Sequence, residues 1–451
     1  MARSASKPNP FLVAPVLPLV LRLATPNALS MGAATAVSVA ETAYVGSLGT
    51  PALAGLALVF PMVMLMQTMS AGAMGGGIAS AIARALGAGD AARARALTLH
   101  ALVIAAIGGL AFSLVFLPFG EAIFRLLGGA GAPLEEALAY SRVIFSGAIV
   151  VWLTNTLAAS VRGTGNMRAP AAAMLIVAAL QVVLGGGLGL GLGPFPRMGM
   201  AGVALGQVLA NIVASGFLLW FVVGGGSRAK PATRAFALCR DLFMDILKVG
   251  GVALISPAQT IATVLVMTRI MAMFGDNALA GYGIGARLEF LLIPVSFAIG
   301  GACIPLVGMA IGANNAARAK TVAWTGGALS AGLAGIIGVV VALAPGQWSA
   351  LFSADAGVLA AADLYLRVAG PAFVFFGLGH GLYFASQGSG KILGPVLAGT
   401  LRLAIVGLGG WFLAASAMPA WTMFALVALA MVAYGGACAL SVATAKWGRR
   451  G

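Results

Sequence analysis

Gly87-Ala-Gly-Asp-Ala-Ala-Arg-Ala-Arg95 returns as Gly312-Ala-Asn-Asn-Ala-Ala-Arg-Ala-Lys320, at an offset of 225 residues. Moving outward, Arg162-Gly-Thr-Gly-Asn-Met-Arg-Ala-Pro170 pairs with Gln387-Gly-Ser-Gly-Lys-Ile-Leu-Gly-Pro395 at the same offset. Tyr140 and Arg142 map onto Tyr365 and Arg367, and Ala52-Leu-Ala-Gly55 recurs one residue out of step as Ala278-Leu-Ala-Gly281. Matches in one order at a near-constant spacing mark a duplicated unit.

The segments between these motifs are apolar, and that sets the class. Hydrophobic residues make up 61% of the 451 and charged residues only 8%, whereas a soluble domain carries about 45–50% apolar residues even with glycine counted. A soluble enzyme, a disordered chain and a disulfide scaffold are thereby excluded. The 64 glycines suit helices that approach closely in lipid. Cys239, Cys303 and Cys438 show no metal-ligand spacing, so they read as small buried residues, and neither metal nor cofactor is expected. The net charge of +15 comes without a basic stripe interleaved with stacking aromatics. Excess Lys and Arg in cytoplasmic loops accounts for it instead, and no nucleic-acid partner is expected.

A helix needs about 20 apolar residues to cross a bilayer. Such runs occur twelve times, at roughly 24–46, 51–83, 97–118, 138–160, 169–193, 199–224, 247–273, 277–310, 321–344, 361–386, 393–416 and 419–445. Spans 2 and 8 are long enough to tilt or to extend beyond the membrane. Residues 1–23 resemble a signal peptide, with Arg3 and Lys7 before an apolar run. That run holds Pro15 and Pro18 and ends at Arg22 with no small-residue cleavage site, so an uncleaved cytoplasmic lead-in is expected. With the N-terminus inside, nineteen Lys and Arg fall on the cytoplasmic side and five on the outer side, which puts both termini in the cytoplasm.

Six spans per copy gives both copies the same orientation. The expected fold is an all-α membrane protein with twelve transmembrane helices in two six-helix lobes, related by a pseudo-two-fold along the membrane normal. The lobes are 1–224 and 246–451, joined by a cytoplasmic basic linker at 225–245 that opens with Gly224-Gly-Gly-Ser227. Two linked lobes suggest alternating access by rocking.

Nothing fits a Gly-x4-Gly-Lys-Ser/Thr phosphate loop, a His-Glu-x-x-His helix, a Gly-x-Ser-x-Gly elbow or a Cys/His cluster. ATP hydrolysis and enzyme catalysis therefore have no visible machinery. The candidates are the ionisable groups at membrane depth, where charge is expensive. Of the eleven acids nine fall in cytoplasmic loops or in or near outer loops, Asp363 among them at the edge of span 10, and only Glu41 and Glu289 lie well inside helices. Glu41 lies near the outer end of span 1, about 8 Å below the loop at ~1.5 Å per residue. It is either an interfacial carboxylate or a group that trades a proton or sodium ion for substrate, since burial disfavours the charged form of an acid. Glu289 sits deeper in span 8, two residues beyond Arg287. Their side chains do not face each other on one helix, so a structural ion pair elsewhere and a coupling role both stand. Arg402 in span 11 is the other buried cation and a candidate partner for Glu289. His380 occupies the repeat position of Asn155. Histidine changes charge near neutral pH, so a proton relay stands beside plain hydrogen bonding.

Gln67, Asn155, Gln181, Gln207, Asn211 and Gln259 are polar groups in apolar runs, either interhelical glue or cavity lining, and Tyr44 is a further cavity candidate. Pro257 and Pro294 are candidate kinks in spans 7 and 8. The glycines from Gly185 to Gly193 allow close backbone approach in span 5.

Taken together, the twelve spans, the repeat and its two Gly-Ala-x-x-Ala-Ala-Arg-Ala loops resemble the multidrug and toxic compound extrusion (MATE) family. Glu41-Thr-Ala-Tyr-Val-Gly-Ser-Leu-Gly49, Gly193-Pro-Phe-Pro-Arg-Met-Gly199 and Ala280-Gly-Tyr-Gly-Ile-Gly-Ala-Arg-Leu-Glu289 resemble its span 1–2, span 5–6 and span 8 elements. The resemblance implies a cation-driven antiporter that exports amphipathic, often cationic, compounds. It also implies a cation site of Asp in span 1, Asn and Asp in span 5 and Thr in span 6. Here those places hold Glu41, Gln181, Gly185 and Gln207. One carboxylate suffices for a proton, whereas sodium favours several well-placed oxygens, so proton coupling is expected, with sodium as the alternative. The acid that some members carry in span 10 is absent, His380 being the nearest titratable group.

The sequence thus points to a secondary antiporter of the inner (plasma) membrane, embedded in the lipid bilayer and exporting organic cations or amphipathic drugs in exchange for H+ or Na+. Glu41, Gln181 and Gln207 are the expected coupling residues. A lipid or lipid-linked-sugar flippase is the rival, disfavoured because only Arg287 and Arg402 stand at membrane depth to meet a pyrophosphate.

Overall fold

The computed structural model describes residues 10–224, 238–416 and 418–448, and among them every regular element is helical. Arg3, Lys7, Arg228, Lys230, Arg234, Arg449, Arg450 and most of the basic linker lie outside the described residues.

Among the described residues eleven helices are long and apolar enough to cross a membrane, and a bent pair raises the number to twelve. In chain order they are α1 (Val16–Gly46), α2 (Thr50–Gly87), α3 (Ala91–Leu126), α4 (Gly131–Ser146 with Ala148–Gly163), α5 (Arg168–Leu190), α6 (Gly199–Val223), α7 (Arg240–Phe274), α8 (Asp276–Gly312), α9 (Ala316–Leu343), α10 (Ala356–Ser389), α11 (Leu393–Ala415) and α12 (Ala420–Thr444). Each overlaps one span read from the sequence, although α1 also takes in residues 16–23 of the expected lead-in. α2 and α8 are long, as expected, but so is α3, whose ends are too polar to enter the hydropathy reading. Leu114, Phe119, Trp220, Ile336 and Leu408 stand exposed on these helices, an apolar outer surface suited to lipid.

Proline and glycine set the local geometry. The two halves of α4 bend by 52° at Gly147, and Ser113 Oγ donates to the Phe145 carbonyl beside the bend at 2.6 Å. α7 breaks between Ala253 and Ile255. Pro257 has no N–H to meet the carbonyl four residues earlier, and the Tyr383 hydroxyl approaches that Ala253 oxygen at 3.5 Å. α8, by contrast, runs on through Pro294. Wide helical turns interrupt α2 at Thr68–Met74, α5 at Gln181–Gly185 and α11 at Ile405–Gly409, the last two at nearly equivalent repeat positions.

The chain divides into two compact units, residues 25–250 and residues 1–24 with 251–451. These limits differ from 1–224 and 246–451, and residues 240–245, taken as linker together with Asp241 and Asp245, begin α7 instead. The reason lies in the repeated loop. Asp90 caps α3 by accepting from Arg93 N at 2.8 Å, and Asn315 caps α9 by accepting from Arg318 N at 3.0 Å. The guanidinium groups of Arg93 and Arg84 then hold Asp245 at 2.9 and 2.7 Å. In the other unit Arg318 donates to the carbonyls of Phe11 and Ala14 at 2.9 and 2.6 Å. Each repeat therefore anchors the lead-in to the other repeat's first helix.

In the 25–250 unit, α5 and α6 meet through glycine. A Cβ on Gly206 would fall on the backbone of Gly185, whereas Gly216 faces open space. Gly206→Val is expected to lower the detergent melting temperature through about 1–3 kcal/mol of overpacking, with Gly216→Val unchanged; equal melting of the two variants would refute this packing.

Candidate functional site

The Gly185–Gly206 approach sets Gln181 of α5 and Gln207 of α6 beside the C-terminal end of α1. There Glu41 is half-buried, and both its oxygens are engaged. Tyr140 Oη of α4 donates to Oε1 at 3.0 Å, and Gln181 Nε2 donates to Oε2 at 3.2 Å. Tyr140 Oη also lies 2.9 Å from Gln207 Oε1. Among the described residues, no arginine, lysine or histidine is a hydrogen-bond or ion-pair partner of this carboxylate. Tyr44, one turn beyond Glu41, buries a hydroxyl that has no partner among the described residues. Its ring lies against Gly185 and Gly186, where a Cβ on Gly185 would stand 3.0 Å from the hydroxyl oxygen. A side chain at 185 would therefore displace Tyr44, a physical counterpart to the missing second acid.

One hydroxyl proton serves two acceptors at Tyr140. With Glu41 ionised, Tyr140 donates to Glu41, and Gln207 satisfies the contact by turning its NH2 toward the phenol oxygen. With Glu41 protonated, its O–H donates to Tyr140, which in turn donates to Gln207 Oε1. Amide orientation is free to follow the network, so neither protonation state orphans Glu41, Tyr140 or the Gln207 amide. Tyr140→Phe removes this relay and leaves acceptors unmet at about 1–3 kcal/mol. Transport measured against external pH should then lose its steepness, and an unchanged pH profile would remove Tyr140 from the site.

The second unit carries a different cluster. Glu289 Oε2 accepts from Arg402 at 3.0 Å, with both side chains largely buried, and Oε1 accepts from Tyr365 Oη. Tyr140 and Tyr365 are repeat-equivalent, yet the carboxylates they hold come from α1 in one unit and α8 in the other. Arg402 also lies over the Phe376 ring, 4.9 Å from its centroid. His380 Nδ1 is 3.1 Å from the Phe376 carbonyl. His380 and Gln259 line one cleft with Arg402. Arg287, counted among the membrane-depth cations, is exposed and sits over Phe352, away from this cluster.

The remaining candidates form a third group. Asn155 Nδ2 donates to Gln67 Oε1 at 3.0 Å and to Ser70 Oγ at 2.8 Å, and Asn211 donates to the Gln207 carbonyl at 2.8 Å. The Asn155 bonds tie α4 to α2, whereas the Asn211 bond stays within α6. Sequence reasoning used Tyr140 and Tyr365 only as repeat markers. Their recurrence at the repeat offset in both copies is the signal that could have placed them in the sites. Among the described residues no group of three or more His, Cys, Asp or Glu is positioned to hold a metal.

Twelve helices, a duplicated six-helix unit and intramembrane carboxylates define a polytopic membrane transporter. The MatE family model matches residues 26–185 and 253–413, and the chain belongs to this family of multidrug and toxic compound extrusion transporters, which are not enzymes. It is similar to the FAD transporter of Shewanella oneidensis, 29% identical over 68% of each chain. It is also similar to a probable multidrug resistance protein NorM of Thermotoga maritima, 25% identical over 79% of this chain and 77% of that one. A multidrug resistance MATE transporter solved in its outward-facing conformation superposes with a TM-score of 0.89, covering 98% of this chain and all of that one at 22% identity; that likeness shows the fold.

Proposed function

We propose that the protein is a proton-coupled exporter of amphipathic or cationic small molecules in the inner membrane, with both termini in the cytoplasm. The observation that carries this reading is the setting of Glu41, whose partners are uncharged. A carboxylate held by Arg, as Glu289 is, already has its countercharge. Glu41 must find one from outside the protein, either a proton or a cationic substrate. Exclusive occupancy by one or the other yields exchange. Outside, a proton neutralises Glu41 and substrate is released; inside, the proton leaves and substrate binds. Energy comes from the different affinities of the two states, as any such shift requires. Tyr140, Gln181 and Gln207 position the carboxylate and accommodate its change of charge.

The test is efflux of a cationic fluorescent dye from proteoliposomes under an imposed pH gradient and, separately, a sodium gradient. Efflux driven by the pH gradient alone supports the reading. Efflux driven by sodium alone would instead assign the oxygens of Glu41, Tyr140 and Gln207 to a sodium ion, and refute proton coupling.

A further inference from the structure

Among the buried charges, Glu289 and Arg402 are unequally satisfied. The carboxylate has both oxygens engaged, by Tyr365 and by Arg402. The guanidinium has five N–H donors, of which one nitrogen donates to Glu289, and its buried Nε has no partner among the described residues. Leaving such a donor unmet is costly. Arg402 lines two clefts in this unit. One, an open cleft with about 40 Å³ of cavity, is walled by Gln259, Thr260, His380, Tyr383 and Tyr434, and the other by Glu289, Phe290 and Phe376. Apart from Glu289 itself, no carboxylate lines either cleft.

We infer that this cleft is a binding subsite for the oxyanion, phosphate or carboxylate, of an amphipathic aromatic ligand, held by the spare donors of Arg402. A planar guanidinium offers an oxyanion two parallel hydrogen bonds. Tyr383 and Tyr434 supply aromatic walls for the ligand's body. With Nδ1–H donating to Phe376 O, neutral His380 keeps Nε2 as an acceptor for a ligand hydroxyl or N–H. The inference rests on the export reading above but not on Glu41, because this site lies wholly within the other unit. It extends the cargo from cations to molecules that carry an acidic group.

The test is equilibrium binding to the full chain in phosphatidylcholine nanodiscs, with no gradient, of riboflavin and of its monophosphate FMN. The two share an aromatic body and differ by the phosphate. Wild type is expected to bind FMN at least about tenfold more tightly than riboflavin, the scale of one charge-assisted hydrogen bond. Glu289→Gln, which removes the competing anion, widens the preference. Arg402→Gln abolishes it. Because that single variant strands a buried carboxylate and is expected to be unstable, the double variant Glu289→Gln/Arg402→Gln, with no stranded charge, must abolish it too. Equal binding of the two flavins by wild type, or a preference that survives in the double variant, overturns the inference, as does failure of FMN to bind. Loss of FMN binding when phosphatidylglycerol is added supports an oxyanion site and assigns its occupant to a lipid headgroup. Dye export that fails while FMN preference persists would sink the coupling reading and leave this site standing.

Discussion

Proteoliposomes carrying Glu41→Gln are expected to lose pH-driven dye efflux by about 5–150-fold, the range spanned by a coupling free energy of ~1–3 kcal/mol. Glutamine matches the shape of glutamate and accepts from Tyr140 through its carbonyl, but it carries no charge for a cationic substrate and exchanges no proton. The variant should therefore fold and melt like wild type, which separates loss of coupling from loss of structure. Glu41→Asp keeps the charge but withdraws it by one methylene from Tyr140 and Gln181, which stand at 3.0 and 3.2 Å. Partial efflux is expected there. Wild-type efflux by Glu41→Gln would make the residue structural.

The second large effect is on stability. Arg402→Gln leaves Glu289 buried without its countercharge, and breaking one side of such a pair costs about 3–5 kcal/mol. The expected result is a pronounced fall in melting temperature in detergent. Replacing both residues, as in Glu289→Gln/Arg402→Gln, leaves no stranded charge and should recover most of the loss. Conversely, a single variant as stable as wild type would mean that Glu289 finds another partner, and the pair would not hold α8 to α11.

The fold was legible because hydropathy and the polar repeat motifs record it directly. The Gly-Ala-x-x-Ala-Ala-Arg-Ala motif is a helix cap followed by an anchoring arginine, and both functions survive in both copies through Asp90 with Arg93 and Asn315 with Arg318. What the anchors grip was not legible, since Asp245 and the Phe11 and Ala14 carbonyls carry no local signature. The unit limits fall inside α1 and α7, where apolar sequence is continuous. The wide turns at Gln181–Gly185 and Ile405–Gly409 were equally silent, because an extra residue per turn leaves hydropathy unchanged.

At the candidate sites, charge scarcity singled out Glu41, Glu289 and Arg402, because few ionisable residues fall in apolar runs. The pairing of Glu289 with Arg402 was one open option in the sequence, and the structure draws the two together. The tyrosines were hidden, since an aromatic residue in an apolar run reads as packing until its hydroxyl is placed. In the sequence Gly185 stands where the family resemblance implies a second acid; in space it leaves room for Tyr44.

The central claim is that proton and substrate exclude one another at Glu41. Its most direct test is proton release on substrate binding, followed with a pH indicator in weakly buffered detergent solution. Linkage requires that a cationic dye which displaces a proton releases it into solution. The account predicts release by wild type, diminishing as the pH rises and Glu41 empties, and none by Glu41→Gln at any pH. Release of equal size from both proteins, or dye binding by wild type with no release at any pH, would contradict it.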